Sequence, residues 1–186
     1  YQRLHELHPR DLGIRQRLVD LLAARQRFAE AIPLQEATVR EFPDNPQALH
    51  QLALLYAWQR DYEGAAEIYD RLLSLEAANQ ALRREAAQTA EAARKLDKAL
   101  GHYLALYRQS GGQAEYARAL ARIWSHKGEH GSAAAVLAPL LDGAATLEDR
   151  RTYALELLLA GDFKGAFSAY RRLWEEGDTS KETLTN

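Results

Sequence analysis

Asp61-Tyr62-Glu63-Gly64-Ala65 is a short phrase with two echoes: Arg27-Phe28-Ala29-Glu30-Ala31 stands 34 residues earlier, and Lys95-Leu96-Asp97-Lys98-Ala99 stands 34 residues later. A fourth alanine falls at Ala133, and Ala166 follows one residue early. Self-similarity at a period of this size marks a chain of small supersecondary units. None of them can bury its apolar face alone, so the fold comes from stacked neighbours and not from one central core. An array of this kind predicts a binding scaffold and not a catalyst.

Working outward from that phrase, apolar residues recur at three and four, as in Leu49, Leu52, Leu55 and Tyr56, then Ile68, Tyr69, Leu72 and Leu73 after a short break. These spacings predict paired amphipathic helices. The breaks within pairs fall at Arg25-Gln-Arg27, Gln59-Arg-Asp61, Arg94-Lys95, Lys127-Gly-Glu129 and Gly161-Asp162, and links this short make the paired helices antiparallel. Between pairs the chain turns through Asp44-Asn-Pro46, Ala77-Ala-Asn79, Ser110-Gly-Gly112 and Asp142-Gly143, where glycine, asparagine and proline stop helices. Pro9 and Pro43, also 34 apart, each follow an apolar helix end.

The period divides the chain into five units. Residues 1–9 read as the second helix of a preceding truncated repeat; repeats follow at 10–43, 44–77, 78–111, 112–144 and 145–178; residues 179–186 are a tail or the start of a further repeat. Pro33, near the start of a second helix, is expected to be tolerated because early helical amides lack intrahelical partners. Pro139, inside another, is expected to bend or shorten its helix. Ala86, Ala87, Ala90 and Ala93 carry the inner stripe of the third unit's first helix, which predicts close backbone packing and a change of superhelical curvature there.

Composition narrows the function. With 24 Lys and Arg against 26 Asp and Glu, bulk charge implies no nucleic-acid partner. Cysteine is absent, which removes disulfides, thiolate metal sites and a cysteine nucleophile, and suits an oxidising compartment as well as a reducing one. No apolar run is long enough to cross a bilayer, and the N-terminus has no signal-peptide pattern. Methionine is absent even at position 1 and the chain opens in mid-helix, so it reads as a piece of a longer protein.

The residues carry a family resemblance over nearly the whole chain: it resembles a tandem array of tetratricopeptide repeats. The unit from Pro46 to Ala77 is the fullest copy, with Leu49, Leu52, Ala53 and Tyr56 on its first helix and Ala65, Tyr69 and Leu72 on its second. Other units depart from the pattern, with Arg15 and Arg83 at the first bulky position and Gln35 and Thr38 at the later aromatic and apolar ones. The resemblance implies an all-α, right-handed α-solenoid of antiparallel helix pairs. The degenerate repeats, rich in alanine, leucine and arginine and free of cysteine, are also similar to the periplasmic repeat regions of Pel-type bacterial exopolysaccharide export proteins. That similarity implies a periplasmic scaffold, part of a larger outer-membrane protein, that recruits a polysaccharide deacetylase or hydrolase. A cytoplasmic adaptor is the alternative.

In such arrays the first helix of each unit lines a concave groove. The resemblance therefore aims Gln16 and Asp20, then His50, Leu54 and Trp58, then Arg84 and Gln88, then Arg118, Arg122 and His126, then Arg151 and Glu156 toward a partner. Arg118 and Arg122 share a face and are placed to hold a carboxylate or sugar acid, or else to pair with Glu115 and Glu156. Trp58 either stacks on a peptide or sugar ring or packs against the next repeat. A groove of these residues also admits direct binding of a charged or amino-sugar polysaccharide. Gln16, Arg17 and Asp20 stand where relatives that capture acidic chain termini carry a lysine and asparagine set, which argues against that use.

No set of residues points to catalysis, a cofactor or a metal. HExxH, GxSxG, GxGxxG and GxxxxGK[ST] patterns are missing. His126 and His130 are four apart, but Gly128 breaks the helix between them, and His5 and His8 sit beside Pro9 at a helix end. The open ends predict self-association of the fragment through apolar faces around Leu4 and Leu173.

Overall fold

A computed structural model describes Tyr1 and residues 11–178. Among the described residues the secondary structure is helical throughout: α1 Leu12–Ala24, α2 Phe28–Glu41, α3 Pro46–Trp58, α4 Tyr62–Leu75, α5 Gln80–Ala92, α6 Leu96–Gln109, α7 Ala114–His126, α8 His130–Leu137, a 3₁₀ segment Ala138–Asp142, α9 Leu147–Leu159 and α10 Phe163–Glu175. The chain forms two compact units, Tyr1–His102 and Tyr103–Asn186, the division falling within α6. In the first, α1 packs on α2, α2 on α3, α3 on α4 and α4 on α5; in the second, α7 packs on α8, α8 on α9 and α9 on α10. The paired-helix reading of the sequence is what the structure has.

Capping chemistry sets the period. Asp11, Asn45 and Asn79, each 34 residues apart, cap α1, α3 and α5 by accepting the amides of Ile14, Ala48 and Leu82. Gln113 takes the same place before α7 without a side-chain bond. Thr146, one residue early, closes a capping box on α9 in which Asp149 Oδ2 accepts the Thr146 amide and Thr146 Oγ1 accepts the Asp149 amide. Asp61 and Asp162 cap α4 and α10 through the amides of Gly64 and Gly165. A Cβ at either glycine would lie 2.9 and 2.4 Å from the capping carboxylate, so the Asp-x-x-Gly-Ala phrase is a cap that leaves room for its own acceptor.

The turns within pairs repeat as well. Gln26, Arg60, Arg94, Gly128 and Gly161, at the same place in successive links, all adopt left-handed conformations that reverse the chain in three residues. The alanine ending each phrase is buried where two helices cross: Ala31, Ala65, Ala99, Ala133 and Ala166. Opposite them, at the eighth position of each first helix, stand Val19, Ala53, Ala87, Ala121 and Ala154, also buried. Leu49, Leu52, Leu55, Tyr69 and Leu72 fill the space beside this crossing in the first unit.

Two prolines behave differently from each other. Pro139 ends α8 at Leu137 and passes the chain into the 3₁₀ segment, as expected of a residue without an amide hydrogen. Pro33 is a correction: it is the sixth residue of α2, beyond the orphan amides of the first turn, and the helix runs through it to Glu41. Packing of Ala31, Ile32, Gln35 and Val39 against α1 and α3 holds the helix despite the lost bond. Gln35 replaces the aromatic residue of other units and is fully buried, its Nε2 donating to the Ala48 carbonyl at 2.8 Å. Ala86, Ala87 and Ala90 are buried along α5, whereas Ala93 caps it and is half-buried.

Leu at position 65 is the test of the crossing. Ala65→Leu is expected to lower stability by about 1 to 3 kcal/mol in chemical denaturation, because the backbones must part to admit it. Leucine at exposed position Ala77 is expected to change stability by less than about 0.5 kcal/mol.

Candidate functional site

The residues aimed at a partner stand four apart on the first helices, at the fifth, ninth and thirteenth positions. Most of the fifth-position side chains are spent on holding one pair to the next. Gln16 Nε2 donates to Gln51 Oε1 of α3 at 2.6 Å. His50 Nε2 lies 2.6 Å from Glu85 Oε2 of α5, which also accepts the Tyr69 hydroxyl at 3.0 Å. In the second unit Arg118 grips Asp149 at the start of α9 with two bonds, Nε to Oδ1 at 2.8 Å and Nη2 to Oδ2 at 2.7 Å. Arg151 repeats this fork on Asp178 at 2.9 and 2.6 Å. Two parallel bonds of this kind give geometry as well as energy.

Arg118 is therefore paired, but not with Glu115 or Glu156. Its reach across to the next helix brings it to Asp149, whose carboxylate the capping box has already oriented. Glu156 lines the second-unit cleft described below but exposes little of itself: it is 3% exposed and its Oε2 lies 2.8 Å from His130 Nδ1. The cause is register: the second-unit period is one residue short, and the ninth position of α9 is Leu155, which is exposed. His126 ends α7 and His130 begins α8 with Gly128 in a left-handed turn between them. Among the described residues no group of three or more His, Cys, Asp or Glu gathers at metal-binding distance.

The ninth and thirteenth positions differ from the fifth in facing outward. Asp20, Trp58, Gln88, Arg122 and His126 are exposed and Leu54 is half-buried; Arg84, at a fifth position, is exposed too. Trp58 makes its ring contact with the preceding helix pair. Its ring lies against Phe28 of α2, centroids 5.8 Å apart, and it remains 52% exposed. In the first unit Asp20, Ala23, Ala24, Phe28, Gln51, Leu54 and Trp58 line an open cleft of roughly 560 Å³. In the second, Arg118, Arg122, Ser125 and His126 share a cleft of roughly 430 Å³ with Glu148, Asp149 and Thr152. Acids and bases are mixed in the second cleft, so it carries no single sign for an acidic polymer. Sequence reasoning missed Gln51, Phe28 and Asp149; the last two had a signal, as the first residue of a second helix and the last residue of a Thr-x-x-Asp box.

The fold is similar to solved structures of MamA from AMB-1 (TM-score 0.68, 16% identity, covering 96% of this chain and 99% of that one) and of MamA from Desulfovibrio magneticus RS-1 (0.64, 15%, 90% and 97%). It is also similar to YrrB, a TPR protein with an unusual peptide-binding site (0.67, 11%, 98% and 95%). At these identities the likeness establishes the fold, a tetratricopeptide-type array of helix pairs. No family model matches the sequence, and no curated protein matches it. Among the described residues no helix is long and apolar enough to cross a membrane.

The Arg118 fork above all, with the Thr146 amide and hydroxyl adding and burial opposing, holds Asp149 down at about 2. A carboxylate depressed in the folded state contributes its full stability above about pH 4 and loses it as pH falls toward 2. Asp149→Asn is expected to cost roughly 1 to 2 kcal/mol at neutral pH and to flatten the acid limb of stability measured by denaturation between pH 5 and pH 2.

Proposed function

We propose that this chain is a non-catalytic scaffold whose first helices hold a segment of a partner protein. The observation that carries this reading is the division of labour along those helices. Their eighth positions close the core and fifth positions lock neighbouring pairs, while at the ninth and thirteenth Leu54 is half-buried and Trp58 and His126 are exposed, and the contact with Phe28 leaves half of the Trp58 surface in water. An exposed tryptophan beside a half-buried leucine is costly to leave in water and useful at an interface. The peptide-binding site of YrrB, a protein of the same fold, supports the same direction.

The narrower reading is that the partner is a periplasmic polysaccharide-modifying enzyme, a deacetylase or hydrolase, kept beside an exopolysaccharide export pore. Its support is the resemblance of the cysteine-free repeats to that class, and the benefit is effective concentration: a tethered enzyme meets emerging polymer without a new diffusional encounter. Direct capture of a charged polysaccharide is less well supported. Arg118 and Arg151 are committed to Asp149 and Asp178, and Glu148 and Asp149 line the cleft that Arg122 enters.

A photo-reactive amino acid placed at Leu54 or Gln88, on first helices, is expected to cross-link a purified deacetylase or hydrolase from the same source, whereas one at Glu67, exposed on second helix α4, is not. Cross-linking from Glu67 alone would overturn the proposal.

Self-association is proposed through a different surface from the one the sequence indicated. Leu4 lies outside the described residues and Leu173 is 1% exposed; the open apolar face of α10 is Phe163 at 71%, Phe167 at 65% and Trp174 at 60%. Phe163→Glu with Phe167→Glu is expected to shift the concentrated protein toward monomer in sedimentation equilibrium. An unaltered monomer at high concentration would remove this role.

A further inference from the structure

We propose that the cleft of the first unit seats an arginine side chain of an extended partner segment, held between the Asp20 carboxylate and the face of Trp58. This inference rests on the scaffold reading and names the chemistry of its partner. The cleft has an aliphatic floor, Ala24 and Leu54, and an aromatic wall, Trp58 backed by Phe28. Its volume of roughly 560 Å³ is suited to one long side chain and part of its neighbours.

Charge decides the occupant. Asp20 is the only ionisable residue among the described residues lining this cleft, and among the described residues no lysine or arginine forms an ion pair with it. Its orientation is built by two glutamines. Gln16 Nε2 and Gln51 Nε2 both donate to Asp20 Oδ1, at 3.0 and 2.9 Å, and Gln16 Nε2 also donates to Gln51 Oε1 at 2.6 Å. One carboxylate oxygen is thus fixed by amides from α1 and α3, and Oδ2 is left for an incoming donor. An acceptor held in place before binding loses little freedom on binding.

The second wall selects the kind of cation. A guanidinium is planar, weakly hydrated and able to lie on an indole face while its N–H groups point along its edge to a carboxylate. A lysine ammonium satisfies the charge but not the stacking. A carboxylate, phosphate or acidic sugar meets repulsion from Asp20 and has no cation in this cleft to offset it. The segment therefore presents an arginine flanked by an apolar residue that rests on Leu54.

The experiment uses the whole chain, labelled with nitrogen-15, and two probes: acetyl-Leu-Arg-Leu-amide and the same tripeptide with uncharged citrulline for arginine. The Trp58 indole N–H signal, assigned with a Trp58→Phe variant, is expected to move on titration with the arginine probe and not with citrulline. Asp20→Asn, at an exposed position, is expected to weaken the arginine probe about fivefold or more with an unchanged melting profile. Equal response to both probes, an unaltered affinity in Asp20→Asn, or no movement of Trp58 at millimolar probe overturns the inference. A partner that cross-links at Leu54 equally well in Asp20→Asn leaves the scaffold standing and removes the arginine seat. Loss of the Leu54 cross-link while Trp58 still discriminates the probes does the reverse.

Discussion

Two helix backbones come close only where neither puts a large side chain in the way, and in this protein that condition is renewed in every pair by an alanine. Ala31, Ala65, Ala99, Ala133 and Ala166 are all buried, and so are the eighth-position residues of the first helices, alanine in every pair but the first, where Val19 stands. The leucines and tyrosines beside the crossing then fill the wedge that the close approach leaves, as Tyr69 and Leu72 do in one cluster with Ala53. Stability in such an architecture is a sum over neighbours, and each interface has to be sound by itself.

That constraint explains where polar chemistry is found. With the crossing points apolar and tight, hydrogen-bonding side chains are pushed to the edges of each interface, where they fix one pair against the next. Gln16 with Gln51, His50 with Glu85 and Arg118 with Asp149 are three versions of one device, each using a different functional group at the same helical position, and Arg151 makes the guanidinium fork again within its own repeat, on Asp178. The device tolerates changes of chemistry as long as donor and acceptor stay matched. A residue at that position is accordingly spent on the fold, and the positions one and two turns later are the ones left at the surface.

The fold was legible because a small residue on each second helix and a capping Asp, Asn or Thr before six of the helices both leave fixed letters at nearly fixed intervals. Asp61-x-x-Gly64-Ala65 contains both. The site was legible only in part. Arg118 finds its carboxylate 31 residues away, and which of several acids lies there depends on how the next helix begins, which no local pattern around Arg118 states. Glu156 stands one residue past the ninth position because the period there is short, so it sits at the cleft nearly buried and bonded to His130. The support of Trp58 by Phe28 follows from the way α2 starts, beside the end of α3, and that adjacency exists only once the helices are paired.

The shortened repeat also has a geometric explanation. The other second helices of the earlier units run for 14 residues, whereas α8 and its 3₁₀ continuation together have 13, eight and five. An α-helix rises about 1.5 Å per residue and a 3₁₀ helix about 2.0 Å, so 14 residues span about 21 Å and this hybrid about 22 Å. Pro139 stretches the tail of its helix and makes good the missing residue in length. The deletion is absorbed as a change of pitch, and the next pair receives the chain at nearly the distance from which every earlier pair received it.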